Sequence, residues 1–124
     1  MIIDDKLQAD AYDKISQELR RGILILAVLS QLQVETHGYA LISTLAAHGL
    51  VIDQGTLYPL LRRLESQGLL QSQWNTEGTR PRRYYVITPA GAAVLQTLQQ
   101  DWQSLTAVMQ RLFSSQEEPN HGVD

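Results

Sequence analysis

No cysteine occurs among the 124 residues. Its absence excludes disulfides, thiolate chemistry and cysteine-ligated zinc, and suits a reducing cytoplasm. Long apolar runs are also missing. The most apolar stretch, Gly22 to Leu29, covers eight residues, whereas a bilayer span needs about 20. No membrane association is therefore expected. The opening MIIDDKLQADAYDK is acidic and does not read as a secretory signal. Internal repeats and low-complexity segments are absent. Enzyme signatures are lacking as well. His37, His48 and His121 are scattered without metal-ligand spacing, no serine sits in a Gly-x-Ser-x-Gly elbow, and no glycine loop cradles phosphate. Neither a catalytic site nor a cofactor or metal is expected, and His37 and His48 read as surface or helix-capping residues.

What is present is ordinary globular material, 44% hydrophobic and 19% charged, enough for one domain with one core. Net charge is −3, which argues weakly against non-specific nucleic-acid binding. Its distribution matters more. Residues 1 to 18 net −3, while Gln54 to Gly91 nets +3 through Arg62, Arg63, Arg80, Arg82 and Arg83 against Glu65 and Glu77. Such a chain can bind DNA on its basic face.

Periodicity orders the elements. Asp4 to Gln33 reads as helical, in one piece or in two meeting near Arg20–Gly22. Its run from Ile23 to Leu29 fits a helix covered on most sides. Thr36 can cap a second helix with Tyr39, Ile42 and Leu45 or Ala46 on its apolar side, and Gly49 can end it. In the third helix Leu57, Leu60, Leu61 and Leu64 follow the i, i+3, i+4, i+7 pattern, and Gly68 ends it. Its start is open. With Asp53 as cap, Pro59 is the sixth helical residue and should bend the helix. With Thr56 as cap, Pro59 falls in the first turn. Leu69 to Trp74 and Arg82 to Ile87 read as strands joined by a seven-residue loop, NTEGTRP. Thr88-Pro89 then opens a long last helix.

The order makes a mainly α chain with a small β-hairpin: a winged helix–turn–helix plus a long C-terminal dimerisation helix. The expected division is a helical extension (1–18), a DNA-binding domain (19–88), a dimerisation helix (89–113) and a flexible tail (114–124). On a helical wheel Leu60, Leu61 and Leu64 lie within about 60° of Leu57. Gly55, Pro59, Arg62 and Ser66 fall opposite, flanked by Thr56 and Arg63. That face suits a DNA groove. Arginine takes phosphate or guanine, Gln54 can pair adenine, Thr56 can meet a phosphate or thymine methyl, and Gly55 admits close approach. Tyr58, between core and solvent, either packs inward or bonds a phosphate. Arginines on a solvent face are commonplace. The second cluster, Arg80, Arg82 and Arg83 on the following hairpin, is what fits a DNA footprint.

Gly91, Leu95, Leu98, Trp102, Leu105, Met109 and Leu112 step by 4, 3, 4, 3, 4, 3, an a/d seam that needs a partner helix. A twofold dimer is the simplest source. Trp102 belongs to that seam as dimer core, or else walls a site for a planar aromatic effector.

HGY at 37–39, GTLYPLLRRLESQGLL at 55–70, Trp74, RPRRYYVITPAG at 80–91 and the tryptophan-bearing last helix together resemble the PadR family of bacterial transcriptional regulators. The resemblance spans roughly Leu19 to Phe113. It implies a winged-helix homodimer, mostly a repressor, on a dyad-symmetric operator, with double-stranded DNA as partner. Tyr39, Thr56, Tyr58, Arg62, Arg63, Arg80 and Arg83 stand at matching positions as candidate contacts. In a drug-sensing branch of the family a tryptophan of this helix stacks on flat ligands, and QDWQSL resembles that placement. Two rival readings remain: a winged-helix module for protein–protein contacts, slightly favoured by the net charge, and an enzyme, which has no motif behind it.

Overall fold

A computed structural model describes residues 5–115. The chain runs α1 (Asp5–Gln31), β1 (Thr36–His37), α2 (Gly38–Ala47), α3 (Gln54–Ser66), β2 (Leu70–Asn75), β3 (Arg82–Ile87) and α4 (Pro89–Ser115). The three strands form one antiparallel sheet in the order β1-β3-β2. The expected winged helix–turn–helix is present with its long last helix. The tail expected from Ser114 is helical as far as Ser115, and the rest of it lies outside the described residues.

The core is built from helix ends and strand starts. Val28, Leu29 and Leu32 close α1, Leu41 and Leu45 face inward from α2, and Leu57, Leu61 and Leu64 do so from α3. Ile52, Leu70, Tyr85 and Leu95 complete it. In α1 residues Ile23 to Ser30 are half-buried or buried, whereas those before Ile23 are exposed apart from Ser16, which is half-buried. A break near Arg20–Gly22 does not occur. The helix is continuous because a single glycine costs only about 1 kcal/mol in a helix interior. Arg20 Nη2 also ties that turn to the connector between α2 and α3 by donating to the Val51 carbonyl at 2.8 Å.

Both short helices end in the same way. Gly49 and Gly68 take positive φ, +97° and +81°. The amides that follow double back onto their helices, Leu50 N–H to the Leu45 carbonyl and Leu69 N–H to the Leu64 carbonyl. This is the Schellman closure, which only glycine adopts without strain.

Two sequence expectations for α2 need correction. Its cap is His37, whose side chain meets the Ala40 amide, not Thr36. Thr36 lies one residue too early for a helix that begins at Gly38, and its hydroxyl donates to the Val34 carbonyl at 2.7 Å instead. The inward face is Gly38, Leu41 and Leu45, with Ile42 beside it. Tyr39 and Ala46 turn outward.

Thr88 joins the two halves of the fold. Its N–H donates to the Leu69 carbonyl and its hydroxyl to the Gly68 carbonyl, while the same oxygen accepts from Gly91 N–H at 3.0 Å. The expected cap at Thr88-Pro89 is thus realised and also pinned to the end of α3. Gly91 is buried here for a local reason, not as the first step of a seam. A Cβ at Gly91 would overlap the Leu69 carbonyl and lie 2.7 Å from Ile87 Cγ1. Gly91→Ala should therefore lower unfolding stability by about 1–3 kcal/mol, read from urea denaturation. An unchanged midpoint would show that α4 does not need this close approach.

Candidate nucleic-acid interface

The position of α3 settles the question of Pro59. Asp53 is the cap: its Oδ1 accepts from Thr56 N–H at 2.7 Å. Pro59 is consequently an interior helical residue. A proline there leaves the carbonyl four residues earlier, at Gly55, without its helical partner. Both Gly55 and Pro59 are exposed, so water can satisfy that carbonyl. The Asp53 cap puts Gln54, Gly55 and Thr56 in the first turn, where unpaired amides and the helix dipole favour an anion.

The leucine stripe turns inward as expected, with Leu57, Leu61 and Leu64 buried and Leu60 half-buried. Gln54, Thr56, Arg62 and Arg63 are exposed on the other faces. The two neighbouring arginines diverge. Arg63 lines a groove with Arg21, Leu24 and Pro59 on the α1 side. Arg62 is exposed, and its charge is felt at the sheet. There Tyr85 has its phenol pKa raised chiefly by burial, against the opposing charges of Arg83 and Arg62. Tyr58 resolves toward packing. It is half-buried and lies so close over Gly38 that a Cβ at Gly38 would overlap its ring.

The wing arginines are unequal. Arg83 is engaged inside the protein. Its Nη2 meets Glu65 at 3.3 Å and its Nε donates to Ser72 Oγ at 2.8 Å. Ser72 Oγ in turn donates to Glu65 Oε2 at 2.7 Å. The guanidinium also lies 5.8 Å from the ring centres of both Trp74 and Tyr85, within cation–π range. This network joins the last turn of α3 to both wing strands. Arg82 Nη1 donates to His37 Nε2 at 2.7 Å. Arg80 is exposed on the loop between the wing strands. With strands ending at Asn75 and Arg82, that loop is six residues, 76–81, one shorter than expected. Gly78 turns it at φ +93°.

A cavity of about 210 Å³ opens where these elements meet. His37 and Tyr39 border it from the start of α2, Tyr58 from α3, and Trp74, Arg80 and Arg82 from the wing. Burial, then the Arg82 charge, holds the His37 pKa below its ordinary value near 6.5. Sequence reasoning read His37 as a surface or helix-capping residue and gave no site role to Glu65 or Ser72. The Glu65–Arg83 pair had no readable signal, since 18 residues separate its members.

The seam of α4 divides in two. Leu95 is buried in the chain's own core and Leu98 packs against that core. Trp102, Leu105, Met109 and Leu112 are 48%, 61%, 42% and 53% exposed. Tyr12, Ile15 and Leu19 of α1 are likewise bare. Among the described residues no helix is long and apolar enough to cross a membrane, and no cluster suits a metal ion.

Three helices, a wing and a basic, hydroxyl-bearing face on the third helix define the winged-helix class of regulators. Comparisons narrow the class. Residues 25–97 match the family described as "Transcriptional regulator PadR-like family". The chain is similar to a PadR family regulator from Eggerthella lenta DSM 2243, with 44% identity, TM-score 0.79, and 93% of this chain and 99% of that one covered. It is also similar to a PadR-like transcription factor from Bacteroides fragilis, with 30% identity, TM-score 0.68, and coverage of 80% and 98%. Transcriptional regulator Rv3488 of Mycobacterium tuberculosis is 49% identical over 61 residues, which span 49% of this chain and 57% of that protein. The chain belongs to the PadR-like family of transcriptional regulators.

The Ser72 hydroxyl bridges Glu65 and Arg83, so Ser72→Ala should remove about 1 kcal/mol of stability, measured by thermal or urea unfolding. Glu65→Ala combined with Ser72→Ala should add little further loss, because both substitutions open the same network. Full additivity would show that the two contacts act independently.

Proposed function

We propose that the chain is a sequence-specific DNA-binding repressor that works as a homodimer on a dyad-symmetric operator. The observation that carries this reading is the division of the surface. The exposed residues of α3 include Gln54, Thr56, Arg62 and Arg63, and those of the wing that follows include Arg80 and Arg82. Elsewhere the projecting ends of α1 and α4 leave large apolar side chains bare. The first surface fits a duplex, with α3 in the major groove and the wing along the backbone. The second fits another copy, since a twofold partner would cover Trp102, Leu105, Met109 and Leu112 and set two α3 helices about 34 Å apart. Trp102, half exposed on that surface, is then available either as dimer core or to a planar aromatic effector. The relatives' names support regulation of transcription. Repression, the dimer and the effector are our own extensions.

Arg62→Ala with Arg63→Ala should abolish a gel shift on the chain's own promoter while the fold is retained by circular dichroism. Native binding should weaken steeply as salt rises. Unchanged binding by the double variant would remove α3 from the interface. For the second surface, Leu105→Asp with Met109→Asp should convert a dimer to a folded monomer in sedimentation velocity, because two carboxylates cannot be buried unpaired in an apolar seam. A dimer that survives both charges would place the subunit contact elsewhere.

A further inference from the structure

We infer that the cavity between α2, α3 and the wing seats a backbone phosphate of bound DNA, and that His37 Nε2 changes there from hydrogen-bond acceptor to donor. The inference rests on the DNA-binding reading and adds to it a site and a ligand chemistry.

The argument begins with a conflict on the His37 ring. Nε2 faces Arg82 Nη1 at 2.7 Å, and Nδ1 faces the Ala40 amide nitrogen at 3.3 Å. Both partners are obligatory donors. A neutral imidazole carries one proton and accepts at one nitrogen only. The two contacts compete for one acceptor, and the shorter one favours the proton on Nδ1, which weakens the α2 cap bond from Ala40 N–H while Arg82 is parked. Further protonation is no remedy, because it leaves neither nitrogen able to accept. Burial and the Arg82 charge oppose it as well.

An anion in the cavity resolves the conflict. Arg82 can leave the ring for a phosphate oxygen with a charge-assisted bond. Nδ1 is then free to accept from Ala40 N–H, which places the ring proton on Nε2, where it donates to the same phosphate. Every group gains a partner of the correct sense. The groups around His37 suit this. Arg82 and Tyr84 approach from β3, with the Tyr84 ring edge-on at 5.3 Å. Arg80 stands on the wing loop, Tyr58 on α3 and Tyr39 on α2. No carboxylate borders the cavity. Glu65 is held by Arg83 and Ser72, and Glu35, two residues before His37, accepts from Gln73. The cavity's size, about 210 Å³, admits a phosphate but not a base pair.

The test is nitrogen-15 NMR of the imidazole ring in the full chain at about pH 7.5, where a histidine of ordinary or lowered pKa is mainly neutral. Spectra are taken without DNA and with saturating duplex of arbitrary sequence at low salt, since backbone contacts do not depend on sequence. Free protein should show Nδ1 protonated and Nε2 bare, and the complex should show Nε2 protonated. Arg82→Ala should carry the proton on Nε2 even without DNA, because the cap bond then has no competitor. His37→Asn keeps a side-chain acceptor for the α2 cap and should bind the duplex about tenfold more weakly. Tight binding with Nε2 still bare, or an Asn variant that binds as well as the native chain, overturns this inference alone. A chain that binds no duplex at any salt overturns the DNA-binding reading and this inference with it.

Discussion

Burial of one face of α3 is the constraint on which the rest of the molecule depends. Leu57, Leu61 and Leu64 are fully enclosed, and each enclosed leucine is worth about 1.5–3 kcal/mol relative to exposure. A rotation of the helix by one residue would bring Tyr58 and Arg62 into the core and expose the leucines. The apolar face therefore fixes where the polar face points. Thr56, Arg62 and Arg63 face outward because the leucines must face inward, without any interaction of their own that holds them there.

Short polar links turn that orientation into a position. Asp53 sets the first residue of α3, and the glycine closures after α2 and α3 set the exit angles of the chain. Thr88 binds the end of α3 to the start of α4, while Glu65, Ser72 and Arg83 bind its last turn to the wing. Each contact contributes about 1 kcal/mol or less. Their importance is geometric. A surface that reads a duplex must hold two elements in fixed relation, and these links span that gap.

The arginines illustrate how charge is divided between holding and offering. By count, the segment from Gln54 to Gly91 is a uniform basic patch. In the folded chain Arg83 is committed to Glu65, Ser72 and two aromatic rings, and Arg82 rests on His37. Arg62, Arg63 and Arg80 remain outward. A chain of net charge −3 can thus present a local cationic surface, because residues 1–18 alone net −3 while Gln54 to Gly91 nets +3. Only cations placed at the surface bear on the field that a duplex meets.

Much of this was present in one dimension, wherever a property is local or periodic. The leucine spacing of α3, the terminating glycines, the Thr88-Pro89 start and the two wing strands each depend on a few adjacent residues. The GTLYPLLRRLE and RPRRYY motifs, which carry the family resemblance, are equally local. Other features needed contacts between residues far apart in the chain. β1 has two residues and exists only because β3 lies beside it. With α2 starting at Gly38, the side chain that reaches an α2 amide is that of His37 and not of Thr36. The start of α3 was undecided between Asp53 and Thr56, since both are good caps and only the folded backbone shows which one reaches an amide. Leu95 and Trp102 are alike in the heptad pattern of α4, yet the first is enclosed by its own chain and the second is bare, because the domain body ends between them. Local chemistry and period determined which elements form and which faces are apolar. Tertiary structure decided which charges are engaged and which are free, because long-range pairing depends on distances that sequence spacing does not encode.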